Sequence, residues 1–106
     1  MNSVLLLEQP LQTVRALAPV ALSVHLKDFR IEKRPEEFRV YGVPLGEGLL
    51  DVGSVLRAVL PYHRQPSVHV ELYVGRKQDC EATRAYEDEC VRRSAACLHQ
   101  ALAELD

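Results

Sequence analysis

Ala21-Leu-Ser-Val-His-Leu-Lys-Asp-Phe29 and Ser67-Val-His-Val-Glu-Leu-Tyr-Val74 decide the fold class. In the first stretch Leu22, Val24 and Leu26 alternate with Ser23, His25 and Lys27. In the second, Val68, Val70, Leu72 and Val74 alternate with Ser67, His69, Glu71 and Tyr73. A period of two with apolar residues on one side is the pattern of a strand with one greasy and one polar face. Both stretches therefore read as strands with the same binary code.

Working outward from these strands, the remaining elements are helical. Between Pro10 and Pro19, the residues Leu11, Val14, Leu17 and Ala18 recur at helical spacing, and Pro19 closes the segment. Between the strands, Asp51 is a candidate N-cap for a stripe of Val52, Val55, Leu56, Val59 and Leu60 that ends at Pro61. After the second strand, Asp79 to Leu105 contains neither Pro nor Gly, and Ala82, Tyr86, Cys90, Cys97, Leu98, Ala101, Leu102 and Leu105 set a helical repeat. The spacing predicts one long terminal helix. A strand–helix–strand crossover of this length makes the two strands parallel neighbours with helices over one face, an α/β architecture.

The polar strand faces leave two readings open. One is a two-layer sheet whose second side meets solvent or a partner. The other is a closed (β/α) barrel, with helices outside, alternate strand residues lining the lumen, and reactive groups at the C-terminal strand ends. In a barrel His25, Lys27, Glu71 and Tyr73 face one mouth. An imidazole and a carboxylate on adjacent strands about 4.8 Å apart are able to share a divalent cation. His69 lies deeper along its strand and, like His63 and His99, reads as a satisfied or solvated histidine.

Composition narrows the function classes. The 106 residues are 47% hydrophobic and 26% charged, which suits one domain with one modest core. Thirteen Lys and Arg against fifteen Asp and Glu give a net charge of −2 without a like-charge run, and the pI is near 6.1. That balance argues against nucleic acid or a membrane surface as the partner. The apolar run Val4 to Leu7 is too short for a membrane span and has no basic lead-in, so a cytoplasmic location is expected. Cys80, Cys90 and Cys97 lack the paired spacing of a zinc site and read as reduced thiols.

Arg30 to Gly48 reads as a long charged connection that ends in Gly42-Val-Pro-Leu-Gly46-Glu-Gly48. Connections of this length in compact domains are functional or disordered. Its glycines allow backbone amides to approach an anion, and Lys33, Arg34 or Arg39 offers countercharge. A solvated charged loop is the plainer reading.

Three runs taken in order, Val24-His25-Leu26-Lys27-Asp28-Phe29, Gly42-Val-Pro-Leu-Gly46-Glu-Gly48-Leu-Leu-Asp51 and Val70-Glu71-Leu72, resemble the C-terminal part of the sugar phosphate isomerase/epimerase family, the xylose isomerase-like TIM barrels. Asn2-Ser3 and the Pro-initiated helix resemble the segment entering that family's seventh strand. The resemblance implies a (β/α)8 barrel holding one divalent ion (Mn, Mg, Co or Zn) that polarises a carbonyl and hydroxyl of a sugar, sugar phosphate or polyol while acidic residues move protons. It implies that His25 and Glu71 are metal ligands, with Glu71 also the catalytic carboxylate. Arg30 and Lys27 follow as candidate substrate-binding residues near the mouth.

The chain departs from that family in size. A complete barrel needs about 250 residues, so the expectation is a partial barrel, residues 1–106 forming a single domain from the last βα units. The earlier acidic ligands have no counterpart, and the short chain is expected to be inactive. The alternative is a non-catalytic fragment that self-associates or pairs with a complementary barrel piece through open strand edges. An apurinic endonuclease relative fits less well, because an additional Asp-Arg-His metal motif is missing and the pI is acidic.

Overall fold

A computed structural model describes residues 8–63 and 65–105. The first helix, α1 (Pro10–Leu17), has Pro10 at its start, where the missing N–H costs nothing, and runs into a 3-10 turn over Ala18–Val20. Strands β1 (Ser23–Leu26), β2 (Asp28–Lys33) and β3 (Phe38–Val43) follow, then α2 (Val52–Val59), a 3-10 turn over Leu60–Tyr62, β4 (Ser67–Val70) and the long α3 (Cys80–Ala103). The fold is mixed α/β: three helices, a parallel pair β1–β4 and an antiparallel pair β2–β3 among the described residues. The Asn2-Ser3 segment and the Val4 to Leu7 run lie outside the described residues.

The parallel pair matches the crossover expected from the sequence. Its register sets Ser23 against Ser67, Val24 against Val68, His25 against His69 and Leu26 against Val70, and the Glu71 N–H donates to the Leu26 carbonyl at 2.8 Å just past β4. Identical binary codes are consistent with the register, because a one-residue slip would turn the apolar residues of one strand away from the core face. That face meets the core, where buried Leu26, Leu45, Val52, Val55, Leu56 and Ala101 join partly buried Val14, Val24, Val68, Val70 and Leu98. Fully burying a Leu or Val side chain stabilises by roughly 1.5–3 kcal/mol, so α2, with four buried apolar residues, is the main anchor of the helical layer. Leu22 departs from the expected stripe: it precedes β1 and is 89% exposed.

The expected single strand through Phe29 is divided. β1 ends at Leu26, and Asp28 begins a different sheet. The segment read as a long charged loop is in large part a hairpin. Phe29 pairs with Gly42, Ile31 with Val40 and Lys33 with Phe38, closed by a turn in which the Arg34 N–H bonds the Glu37 carbonyl at 2.8 Å. The charged residues of β2 and β3 obscure a β pattern because both faces of this hairpin lie largely in solvent. The second long strand also stops early: beyond Val70 the chain leaves regular structure until α3. Its Tyr73 carbonyl crosses Gly42 so closely that a Cβ there would sit 1.8 Å from the oxygen, which explains the glycine.

Candidate functional site

The helices cover one face of β1–β4, and the opposite face presents the polar residues of both strands. His25 and His69 are exposed there in register, with ring centroids 4.9 Å apart and planes inclined by 53°. At the C-terminal ends of the two strands stand Lys27 and Glu71, both half-buried. Parallel strands end on the same side, so the chain direction itself gathers these groups.

Glu71 is the hub. Its Oε2 lies 3.0 Å from Lys27 Nζ and 3.9 Å from His25 Nδ1. Lys27 also stands over the Tyr73 ring, 5.0 Å from its centroid. The Lys27 hydrogen bond holds the Glu71 carboxyl below the usual glutamate range; partial desolvation opposes it, and the Lys27 charge, Tyr73 and His25 reinforce it. The carboxylate is therefore ionised and aimed at two basic side chains.

The donor chemistry suits a divalent ion. Two first-shell bonds of about 2.1 Å span at most about 4.2 Å end to end, so the 3.9 Å between His25 Nδ1 and Glu71 Oε2 is within that reach. Lys27 now neutralises the carboxylate that such an ion would neutralise. Among the described residues, no group of three His, Cys, Asp or Glu side chains is already arranged to hold a metal.

Of the residues singled out in the sequence, His25, Lys27, Glu71 and Tyr73 come together and Arg30 does not. Arg30 lies on the hairpin opposite Tyr41, and its Nε donates to the Glu47 carbonyl at 2.5 Å. His63 hydrogen-bonds the Ala18 carbonyl at 3.1 Å, the satisfied role expected of it. His69 is satisfied and solvated as expected: it is exposed, shares a 2.7 Å hydrogen bond with Ser67, and lies beside the His25 ring. The matching Ser-Val-His triplets of the two strands set the rings side by side.

The glycine-rich segment does cradle an anion, but the anion is the protein's own. Buried Asp28 accepts from the backbone N–H groups of Phe29, Gly46, Gly48 and Leu50 at 2.9–3.0 Å. These amides are spent on a carboxylate, so the phosphate-cradle reading is withdrawn. Gly46 has φ 87°, open to glycine without strain, and a Cβ on Gly48 would fall 2.2 Å from the Phe29 carbonyl oxygen. The loop is fastened to α3 as well, through Leu45 N–H to Ser94 Oγ at 2.9 Å and an Arg93–Glu47 ion pair.

No family model matches this chain, and neither curated proteins nor solved structures supply a match. No helix among the described residues is long and apolar enough to cross a membrane.

Proposed function

We propose that this chain is the metal-side portion of a sugar, sugar phosphate or polyol isomerase or epimerase, a partial (β/α)8 barrel made of its last βα units. The observation that carries this reading is the approach of His25 and Glu71 to 3.9 Å at the C-terminal ends of adjacent parallel strands, where barrel enzymes keep their reactive groups. The resemblance of the three sequence runs supports it independently.

A divalent ion (Mn, Mg, Co or Zn) bound there would polarise the carbonyl and hydroxyl of the substrate. His25 would supply a nitrogen ligand and Glu71 an oxygen ligand, and the Lys27 ammonium beside them would donate to substrate oxygens. Arg30 reaches substrate only by giving up the Glu47 carbonyl, which makes it the weaker of the two substrate contacts. Moving a proton between adjacent carbons calls for a further acid–base group, and Asp28, adjacent to Lys27, is buried under four amides. The chain by itself is thus expected to bind a divalent ion without turning over sugar phosphates.

Calorimetric titration of the chain with MnCl2, CoCl2 and ZnCl2 tests the reading. Saturable binding of one ion, weakened about tenfold or more by His25→Ala and by Glu71→Gln, is the expected result. Binding that ignores both substitutions would remove the basis of the proposal.

The second reading, a non-catalytic piece that self-associates or pairs with a complementary barrel segment, rests on the parallel pair. Each of its strands has one side without a hydrogen-bonded neighbour among the described residues. A concentration-dependent sedimentation coefficient would favour it.

A further inference from the structure

The β2–β3 hairpin has one open backbone edge whose side chains complement themselves. The Arg34 N–H bonds the Glu37 carbonyl at 2.8 Å, so the pair that closes the turn is a hydrogen-bonded one. Antiparallel pairs alternate, so Glu32–Arg39 and Arg30–Tyr41 exchange bonds inside the hairpin. Phe29, Ile31, Lys33, Phe38, Val40 and Gly42 therefore turn their N–H and C=O groups outward. On the β2 side this edge is closed at its base: the Phe29 N–H donates to Asp28 Oδ1 at 2.9 Å, and its carbonyl accepts from the Leu49 N–H at 3.1 Å. On the β3 side, the outward groups of Phe38 and Val40 have no hydrogen-bond partner among the described residues.

The two edges also differ in charge. β2 carries Asp28, Arg30, Glu32 and Lys33, the kind of residues that blunt an edge strand, whereas β3 carries Arg39 alone and has neither proline nor bulge. Phe38, Val40 and Ile31 leave the hairpin on one face, as their register requires, and form an apolar strip beside the open edge. Phe38 is 70% exposed, and Ile31 is exposed as well. A two-stranded hairpin is marginal in water, so a further strand on this edge adds stability.

We propose that β3 is a self-pairing edge: two copies of this chain join β3 to β3 about a two-fold axis at Val40 and form one continuous antiparallel sheet. The inference goes beyond the ion-site reading and does not depend on it. Pairing centred on Val40 sets it against the partner's Val40 and sets Phe38 against the partner's Gly42, all with outward backbone groups, so each bond is reciprocated. Phe38 then covers a position without a side chain, beside the Tyr73 stretch that crosses Gly42. Arg39 stands opposite the partner's Tyr41, a cation against an aromatic ring, with no like charges facing. Centring the axis on Arg39 instead opposes two guanidiniums, and centring it on Tyr41 draws in buried Val43. The strand is thus complementary to itself in one register.

A ladder this short belongs with interfaces below about 1,200 Å², so sedimentation velocity of the full chain is followed into the high micromolar range. Val40→Pro removes an outward N–H that the hairpin itself does not use, and Phe38→Glu faces Lys33 within the hairpin while carrying charge into the seam. The parent chain is expected to dimerise, and both variants are expected to keep its circular dichroism and weaken dimerisation about tenfold or more. In a Cys80→Ser background, which removes the exposed thiol, Val40→Cys is expected to cross-link on mild oxidation, because facing Cα atoms of a bonded antiparallel pair lie about 5.5 Å apart. Ile31→Cys, held away from the seam by β3 of each copy, is expected not to cross-link. A parent chain that stays monomeric throughout overturns the proposal. So does a dimer that both variants leave intact, or one that Ile31→Cys cross-links as readily as Val40→Cys; either result assigns association to another surface, such as the open sides of β1–β4. Should Val40→Pro lose the parent spectrum, Phe38→Glu and the cross-link decide.

Discussion

Asp28 does more for this structure than any residue of the polar cluster beside it. Its side chain is buried, and its two oxygens collect backbone donors from the start of β2 and from the loop before α2. Hydrogen bonds to a charged acceptor contribute more than neutral ones, and buried donors left without a partner cost about 1–3 kcal/mol each. Asp28→Ala is accordingly expected to destabilise the chain by about 3 kcal/mol or more, read as a lower urea midpoint. A loss under about 1 kcal/mol would mean that water serves these amides equally well. None of this was legible in advance: the sequence displays an acidic residue at a strand end and glycines some twenty positions later, and only folding joins them. Lys27, Glu71 and His25 were legible because strand alternation and parallel direction place them without knowledge of any loop. His69 was read as a satisfied or solvated histidine, and its exposed ring bonded to Ser67 agrees.

Among the elements, the helices were the most readable, and α2 shows why. Its stripe of Val52, Val55, Leu56 and Val59 is buried as the spacing predicts, and Asp51 caps it by accepting from Ser54 N–H at 2.9 Å and Ser54 Oγ at 2.7 Å. Asp51→Ala is expected to lower stability by about 1 kcal/mol, measured by chemical denaturation. The Ser54 backbone hydrogen bond, helped by the Ser54 hydroxyl and the Arg57 charge, depresses the Asp51 pKa. A carboxyl whose folded pKa lies below its unfolded value stabilises fully above the unfolded value and loses that contribution as pH falls through the folded one. The difference between the parent chain and Asp51→Ala should therefore shrink below the ordinary aspartate range, and a difference that held constant to pH 2 would contradict the capping account. Long α3 also starts where expected, with Asp79 accepting from Ala82 N–H at 2.8 Å. The strands were read too long and the hairpin was missed. Apolar alternation marks a strand only where one of its faces is buried, and β2–β3 exposes much of both.

At the scale of the whole molecule, the helical layer on one side of β1–β4 leaves the other side polar, as the binary code of Ser23–Leu26 and Ser67–Val70 requires. Which strands lie beyond the pair is not written in those codes, since alternation fixes a face and not a neighbour. The same layering sorts the thiols. Cys80 is exposed at the start of α3, Cys90 is fully buried, and Cys97 lies against Gly46 with its pKa raised by burial and by the negative charge of Asp28. A thiol reagent at pH 8 is expected to modify Cys80 rapidly, half-buried Cys97 more slowly and Cys90 only when denaturant opens the core, because the thiolate is the reactive form. Equal rates at all three positions would mean that α3 does not pack on the Pro44–Gly46 segment as described.

The two sheets differ in how far apart in the chain their partners lie, and that difference has a kinetic meaning. The β2–β3 hairpin joins neighbours across a short turn, whereas β1 and β4 come from opposite halves of the sequence and meet only after α2 has been threaded between them. Hairpins close in about 1–10 μs, while distant pairings must first overcome the entropy of a long loop. The surface carrying His25 and Glu71 is therefore expected to form only once that long loop has closed.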